Sequence, residues 1–238
     1  MSQNNKEQNK LLQLRCKIDE IDESLINLIN QRIAVVKEVG KFKEEKGDKF
    51  FVKSAREADM IKDLIKKADA KIPQSMIVSI WRKMITCANV LEQDLQIALF
   101  NPAKIPDYQY LIREYYADFA PLKTFENLPE LMQEIKSGKV QIAVFSLGDK
   151  NWWQNFPNEL KIYAAIPFIG EPKQKLVVAA IKEPEKSQED FTLAVVKDAG
   201  DFEILQQDCD EFLVKIDGFF ETLPDAKVIG HFAKPILF

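Results

Sequence analysis

An all-α three-helix domain followed by an α/β to α+β module is the fold class this sequence predicts, and three observations carry it. Apolar residues fall at positions 11, 14, 18, 21, 25 and 28, and again at 35 and 39, the three-four spacing of one helical face. Beyond Gln96 the texture changes to short runs rich in β-branched and aromatic residues. Every proline except Pro73 lies in that second part.

The first helix is expected over residues 7–45, because that stretch holds no proline and its only glycine is Gly40. At ~1.5 Å per residue it exceeds 50 Å, longer than a ninety-residue globule is wide. Propensity alone stabilises such a helix little, so its seam must be buried against a bundle or another molecule, and the sequence predicts dimerisation. A polar loop over 46–53 follows. Ser54-Ala55-Arg56-Glu57 then reads as a capping box opening a second helix with apolar Met60, Ile61, Leu64, Ile65 and Ala68. Pro73 opens a third, whose apolar face runs through Ile77, Ile80, Trp81, Met84, Ala88, Leu91 and Leu95.

Strands are expected at 97–100, 140–147, 160–168, 175–181, 191–197, 211–220 and 227–232, with helices at 108–117 and 128–137. The opening strand-helix-strand-helix-strand order suggests an α/β unit, and the later run of strands suggests α+β. The segment EPEKSQED at 183–190 reads as a linker, giving a division into 1–96, 97–186 and 187–238.

Composition excludes several classes. With 46% hydrophobic and 29% charged residues, the chain is neither disordered nor collagen-like. Three cysteines (Cys16, Cys87, Cys209) without CxxC spacing and one histidine, His231, make a zinc or disulfide framework unexpected and point to a reducing cytoplasm. The polar start MSQNNKEQNK and strand-sized apolar runs imply no secretion and no membrane insertion. The net charge is −4, yet residues 1–96 carry 18 Lys and Arg against 15 Asp and Glu, while the remainder carries 15 against 22. A mildly cationic segment without a dense basic run suits a small anionic ligand and not a nucleic acid.

Candidate chemistry concentrates in the first 96 residues. Arg32 stands where the seam demands an apolar residue, and an unpaired guanidinium on a buried face costs several kcal/mol, so it needs an anion. That anion is either a carboxylate from a neighbouring helix or a bound carboxylate. Lys43 lies about three turns on and projects from the same stripe, either as a solvated lysine at the helix C-terminus or converging with Arg32 on one dianion. In the third helix Arg82, Thr86, Asn89 and Gln93 form a polar stripe, read either as a solvated face or as one wall of a bundle site. Glu57 is either the glutamate of its capping box or a ligand, and spacing does not decide; Arg56 beside it is exposed or part of the same wall. No GxxxxGK, GxGxxG, HExxH or GxSxG motif is present, and a single histidine disfavours a catalytic triad. What remains is a cationic pocket with amide donors, suited to orientation and charge stabilisation without a proton shuttle.

The run Leu14-Arg15 to Leu25, followed by Leu28-Ile29-Asn-Gln-Arg32, Val39-Gly40-Lys-Phe-Lys43, Arg56-Glu57 and Asn89-Val90-Leu91-Glu92-Gln93, strongly resembles the all-helical chorismate mutase family over residues 8–96. The resemblance implies an intertwined homodimer that rearranges chorismate to prephenate without a cofactor. It implies that Arg15 crosses to the partner's site, that Arg15 and Arg32 hold the substrate carboxylates, and that Lys43 and Gln93 donate to the ether oxygen. Glu57 would bind the ring hydroxyl, with Arg56 and Asn89 completing the wall. One departure concerns the loop before Arg56, where some relatives have an acidic ligand. Here Lys53 stands at the equivalent distance, and Asp48 lies farther upstream.

Residues 97–147, within the 97–186 region, look like a shortened first lobe of prephenate dehydratase, and the tail from Glu211, within 187–238, is similar to the end of an ACT domain. The dehydratase Thr-Arg-Phe signature is absent, and Arg113 is the last arginine, so dehydratase activity is expected to be missing. Asp198-Ala-Gly-Asp201 is a poor remnant of an ACT ligand loop. The competing readings are an isochorismate pyruvate lyase on the same scaffold, a bifunctional mutase/dehydratase, and a non-catalytic regulator that binds an aromatic metabolite.

Overall fold

The computed structural model describes residues 3–47, 52–149, 152–170 and 175–237. The expected acidic alternative Asp48 lies outside the described residues. The chain forms two compact units, Met1–Lys49 and Phe50–Phe238.

The first unit is the helix α1, Gln3–Glu45, four residues longer at its start than the apolar spacing indicated. At ~1.5 Å per residue it is roughly 65 Å long. Its seam stays open in the single chain: Leu14, Ile18, Ile21, Leu25 and Leu28 are each at least 50% exposed.

The second unit begins with α2, Ser54–Lys67, and α3, Gln74–Glu92. The capping box is not formed. Lys53 occupies the N-cap position, no side chain caps the helix, and Ser54 is already helical. Glu57, released from that role, turns inward and is buried. Helix α3 follows Pro73 as expected but stops at Glu92, where Gln93 adopts extended backbone angles (φ −149°, ψ 160°). That turn carries Leu95 off the helix and into the core.

The sheet module follows as β1 Ile97–Phe100, α4 Asp107–Tyr116, β2 Leu122–Phe125, α5 Leu128–Lys136, β3 Ile142–Ser146, β4 Lys161–Ile166, β5 Leu176–Ala180, β6 Asp190–Val196, β7 Glu203–Asp208, β8 Glu211–Asp217 and β9 Ala226–Ala233. These strands form one sheet in the order β2-β1-β3-β5-β4-β9-β6-β8-β7. As the element order foretold, β1, β2 and β3 are parallel and linked by α4 and α5, whereas β3–β5, β4–β5, β6–β8, β6–β9 and β7–β8 are antiparallel. Asn127 caps α5, its side chain accepting from the Glu130 N–H at 3.2 Å.

Sequence reasoning missed β2 and β7, which are the two edges of the sheet. An edge strand pairs on one side only and keeps polar, exposed side chains, so LKTF and EILQQD lack the apolar signal of the central strands. The 183–190 segment runs beside α2. Lys53 pairs with Glu185 at 2.6 Å, the Gln188 N–H donates to Asp59 at 3.0 Å, and strands on both sides of the segment join the same sheet.

Alternation along the strands builds two cores. Ile97, Leu99, Ile142, Val144, Leu176 and Val178 face one way and pack with Ala58 and Ile61 of α2, Val78 and Ile85 of α3, and Ile112 and Tyr115 of α4. Ala98, Ala143, Phe145, Val177 and Ala179 face the other way, against Leu131 and Ile135 of α5 and against Trp152, Trp153 and Phe156.

The β4–β9 contact depends on Gly230, which has φ +150° and would place a Cβ 2.2 Å from the Ile162 carbonyl oxygen. The strain and clash together predict that Gly230→Ala destabilises the second unit by at least about 3 kcal/mol. A large drop in the urea midpoint is the expected readout, and an unchanged midpoint would show that the two strands can separate freely.

Candidate active site

Position in the helices decides which side chains meet. Arg82, Thr86, Asn89 and Gln93 recur at three- and four-residue steps on one side of α3 and its C-cap. The solvated-face reading of this stripe is overturned: Arg82 is 4% exposed, Thr86 2% and Asn89 6%, and Gln93 is half-buried. The stripe is buried because α2 and α4 both pack against α3.

The first turn of α2 supplies Glu57 to the same place. Arg82 donates from Nη1 to Glu57 Oε2 at 3.1 Å, and Asn89 donates from Nδ2 to Glu57 Oε1 at 3.3 Å. Each carboxylate oxygen therefore has a donor already. The Arg82 guanidinium lies over two aromatic rings, 4.2 Å from the centroid of Tyr115 and 5.3 Å from that of Phe168. Burial works against the charge of Arg82, but the net shift of its pKa is upward, and the Glu57 carboxylate paired with it favours the charged form. Burial pushes the Tyr115 phenol up, so it stays neutral. Arg82 Nε and Nη2 and both polar atoms of the Gln93 carboxamide are buried without hydrogen-bond partners among the described residues.

The structure thus brings together Glu57 and Asn89 and adds Arg82, which sequence reasoning placed in the stripe but did not assign to a ligand. The adjacency of Arg82 to Glu57 is tertiary, across 25 residues, and no local pattern announces it. Arg56 is exposed and does not enter this cluster, since consecutive helical residues point about 100° apart. On α1, Arg15 is exposed, whereas Arg32 and Lys43 are half-buried. The 11-residue separation of Arg32 and Lys43 places them on one side of that helix. Lys53, standing where some relatives have an acidic ligand, is committed to its ion pair with Glu185.

Chemically, the cluster is a carboxylate fixed at both oxygens, and four residues beyond Asn89 the Gln93 carboxamide has an unbonded donor and acceptor. It holds no nucleophile and no histidine. Among the described residues no group of three or more His, Cys, Asp and Glu is arranged to hold a metal ion. Cys16, Cys87 and Cys209 are all free thiols. Among those residues, no helix is long and apolar enough to cross a membrane.

Residues 14–93 match the family model for chorismate mutase type II. The chain carries an N-terminal chorismate mutase type II domain. The match takes in α1, α2 and α3 and ends on Gln93, so this domain draws on both compact units.

Curated relatives are bifunctional chorismate mutase/prephenate dehydratases. Those of Pseudomonas aeruginosa and Stutzerimonas stutzeri are each 24% identical over 58% of this chain and 39% of their own length. That of Aquifex aeolicus is 25% identical over 57% of this chain and 38% of its own. The chain therefore spans about two fifths of the relatives it matches. Among solved structures, a prephenate dehydratase from Streptococcus mutans aligns with 14% identity and a TM-score of 0.37, covering 59% of this chain and 99% of that one. A quorum-quenching acylase, GqqA, aligns with 12% identity and a TM-score of 0.38, covering 58% of this chain and 94% of that one.

Removing one partner of a buried ion pair leaves the other uncompensated. Glu57→Leu is expected to destabilise the fold by about 3–5 kcal/mol, and Glu57→Gln, which keeps an acceptor for Arg82, by less than half of that. Urea unfolding of the two variants checks the order. Equal losses would show that the acceptor retained by glutamine contributes nothing and that the pair depends wholly on the charge of Glu57.

Proposed function

We propose that the chorismate mutase domain rearranges chorismate to prephenate, acting as an intertwined homodimer in a reducing cytoplasm and needing no cofactor. The observation that carries this reading is the family match over residues 14–93, a stretch that contains Arg15, Arg32, Lys43, Glu57, Asn89 and Gln93. Burial of Glu57 and Asn89 in one cluster, with the unbonded carboxamide of Gln93 four residues on, supports it. The open seam of α1 supports the dimer, because an apolar stripe of that length is stabilised only by a partner.

In this reading Arg32, with Arg15 from the partner subunit, grips the two carboxylates of the substrate, and Glu57 accepts from its ring hydroxyl. Lys43 and Gln93 donate to the ether oxygen. Negative charge grows on that oxygen as the C–O bond breaks, so donors fixed in advance stabilise the transition state more than the bound substrate. Arg56 and Asn89 complete the wall, Asn89 by steadying Glu57. The sheet module lacks arginines beyond Arg113, whose Nη1 donates to the Asp118 carbonyl at 2.8 Å, and we assign it no dehydratase activity.

Chorismate incubated with the full chain is expected to yield prephenate, detected as phenylpyruvate only after acid treatment. Salicylate with pyruvate from isochorismate offered in its place would establish the lyase instead, and phenylpyruvate from chorismate without acid would establish a dehydratase. Arg32→Ala is expected to cut turnover by about three powers of ten while leaving the circular dichroism unchanged. Gln93→Glu is expected to move activity toward acid pH, because only a protonated carboxyl donates a hydrogen bond to the ether oxygen. A pH profile identical to wild type would remove Gln93 from that role.

A further inference from the structure

We propose that Arg82 is a positioning residue for Glu57, and that the sheet module takes part in the mutase site through it, with Tyr115 and Phe168 holding the guanidinium that holds the carboxylate. The proposal rests on the reading of Glu57 as the acceptor of the substrate hydroxyl.

The geometry forms a chain of fixed contacts. Glu57 belongs to α2, and a glutamate in the first turn of a helix ordinarily keeps its rotamer freedom. Here Oε2 accepts from Arg82 and Oε1 from Asn89, two residues about two turns apart on one side of α3. Pinned at both oxygens, the carboxylate keeps one orientation, and its remaining lone pairs present a single direction to a third donor. A ring hydroxyl arriving from that direction meets an acceptor that has no reorganisation left to undergo.

Arg82 is fixed in turn by groups that belong to no helix of the mutase domain. Tyr115 is in the last turn of α4, and Phe168 follows the end of β4. Tyr115 is itself braced edge-on by Tyr116, with centroids 4.8 Å apart. The planar guanidinium suits such stacking, whereas a lysine ammonium would keep the charge but lose both the face contacts and the fork. Tyr115 and Phe168 also belong to the core that α2 and α3 share with the strands, so the clamp is continuous with the main packing of this unit. The sheet module is thus a structural part of the carboxylate site.

The test is chorismate turnover by the full chain for wild type, Glu57→Gln, Arg82→Lys, Arg82→Met, Phe168→Leu and the double variant Arg82→Lys/Glu57→Gln. Circular dichroism and urea midpoints identify which variants fold. Arg82→Lys and Phe168→Leu keep the test readable if Arg82→Met does not.

Arg82→Lys is expected to lower kcat/KM by up to about 100-fold, the size of a misplaced binding group. Phe168→Leu is expected to lower it by less. In the Glu57→Gln background the same Arg82 substitution is expected to cost no more than about threefold, because residues acting through one another are not additive. Folded Arg82→Lys and Phe168→Leu variants with wild-type kcat/KM, alongside an impaired Glu57→Gln, would overturn the positioning role alone. A full-sized loss in the Glu57→Gln background would overturn it too. Unimpaired turnover by Glu57→Gln, or no turnover by wild type, would bring down the reading of Glu57 and the proposal with it.

Discussion

One apolar core joins α2 and α3 to the sheet, and the rest of the second unit is arranged around it. Ala58, Ile61, Val78 and Ile85 have no second face of their own to bury; they close on Ile97, Leu99, Ile142, Val144, Leu176 and Val178. A helix pair of that size gains little stability alone, because short helices depend on packing of their apolar faces. The sheet supplies the packing surface, and in exchange it is shielded from water on the face that α5 does not cover. Two stretches that look like separate domains in composition are therefore one hydrophobic object.

A buried charge pair sits at the edge of that object, and its cost explains its surroundings. Taking Glu57 and Arg82 out of water is repaid only when geometry and additional hydrogen bonds are good. Asn89 supplies a second donor to the carboxylate, and two aromatic rings supply the faces on which the guanidinium rests. An ion pair left exposed to solvent would need none of these. The same arrangement leaves the carboxylate rigid, a property that a stabilising contact does not require and a binding site does.

The long helix α1 poses the opposite problem. Its seam is apolar over several turns and stays open to solvent in the single chain, while its interior polar residue, Arg32, is half-buried. A second copy of the chain answers both needs in the proposed dimer, covering the seam and completing the site with its own Arg15. The C-terminal region presents a simpler relation to the curated relatives. The chain spans about two fifths of their length, and the similarity covers 57–58% of this chain, more than the helical domain alone occupies.

Much of this was legible in the residues. The three helices and the seven central strands follow from periodicity and β-branched runs, because an element buried on one or both faces must repeat its apolar residues with the period of its backbone. The edge strands β2 and β7 were illegible for the converse reason: an edge faces water and has no such repeat to show. The sequence by itself determined the helices and the seven central strands, the seam of α1, and the order of Arg15, Arg32, Lys43, Glu57, Asn89 and Gln93 that carries the family resemblance. Only the tertiary structure decided that the α3 stripe is buried, that Glu57 leaves its capping role to meet Arg82, and that Tyr115 and Phe168 from the sheet module stand behind it. Those contacts join residues 25 or more positions apart, and the competing local roles, a solvated face and a capping box, are just as compatible with the same spacing. Which role wins depends on whether another element covers the stripe, and covering is a property of packing that no single segment encodes.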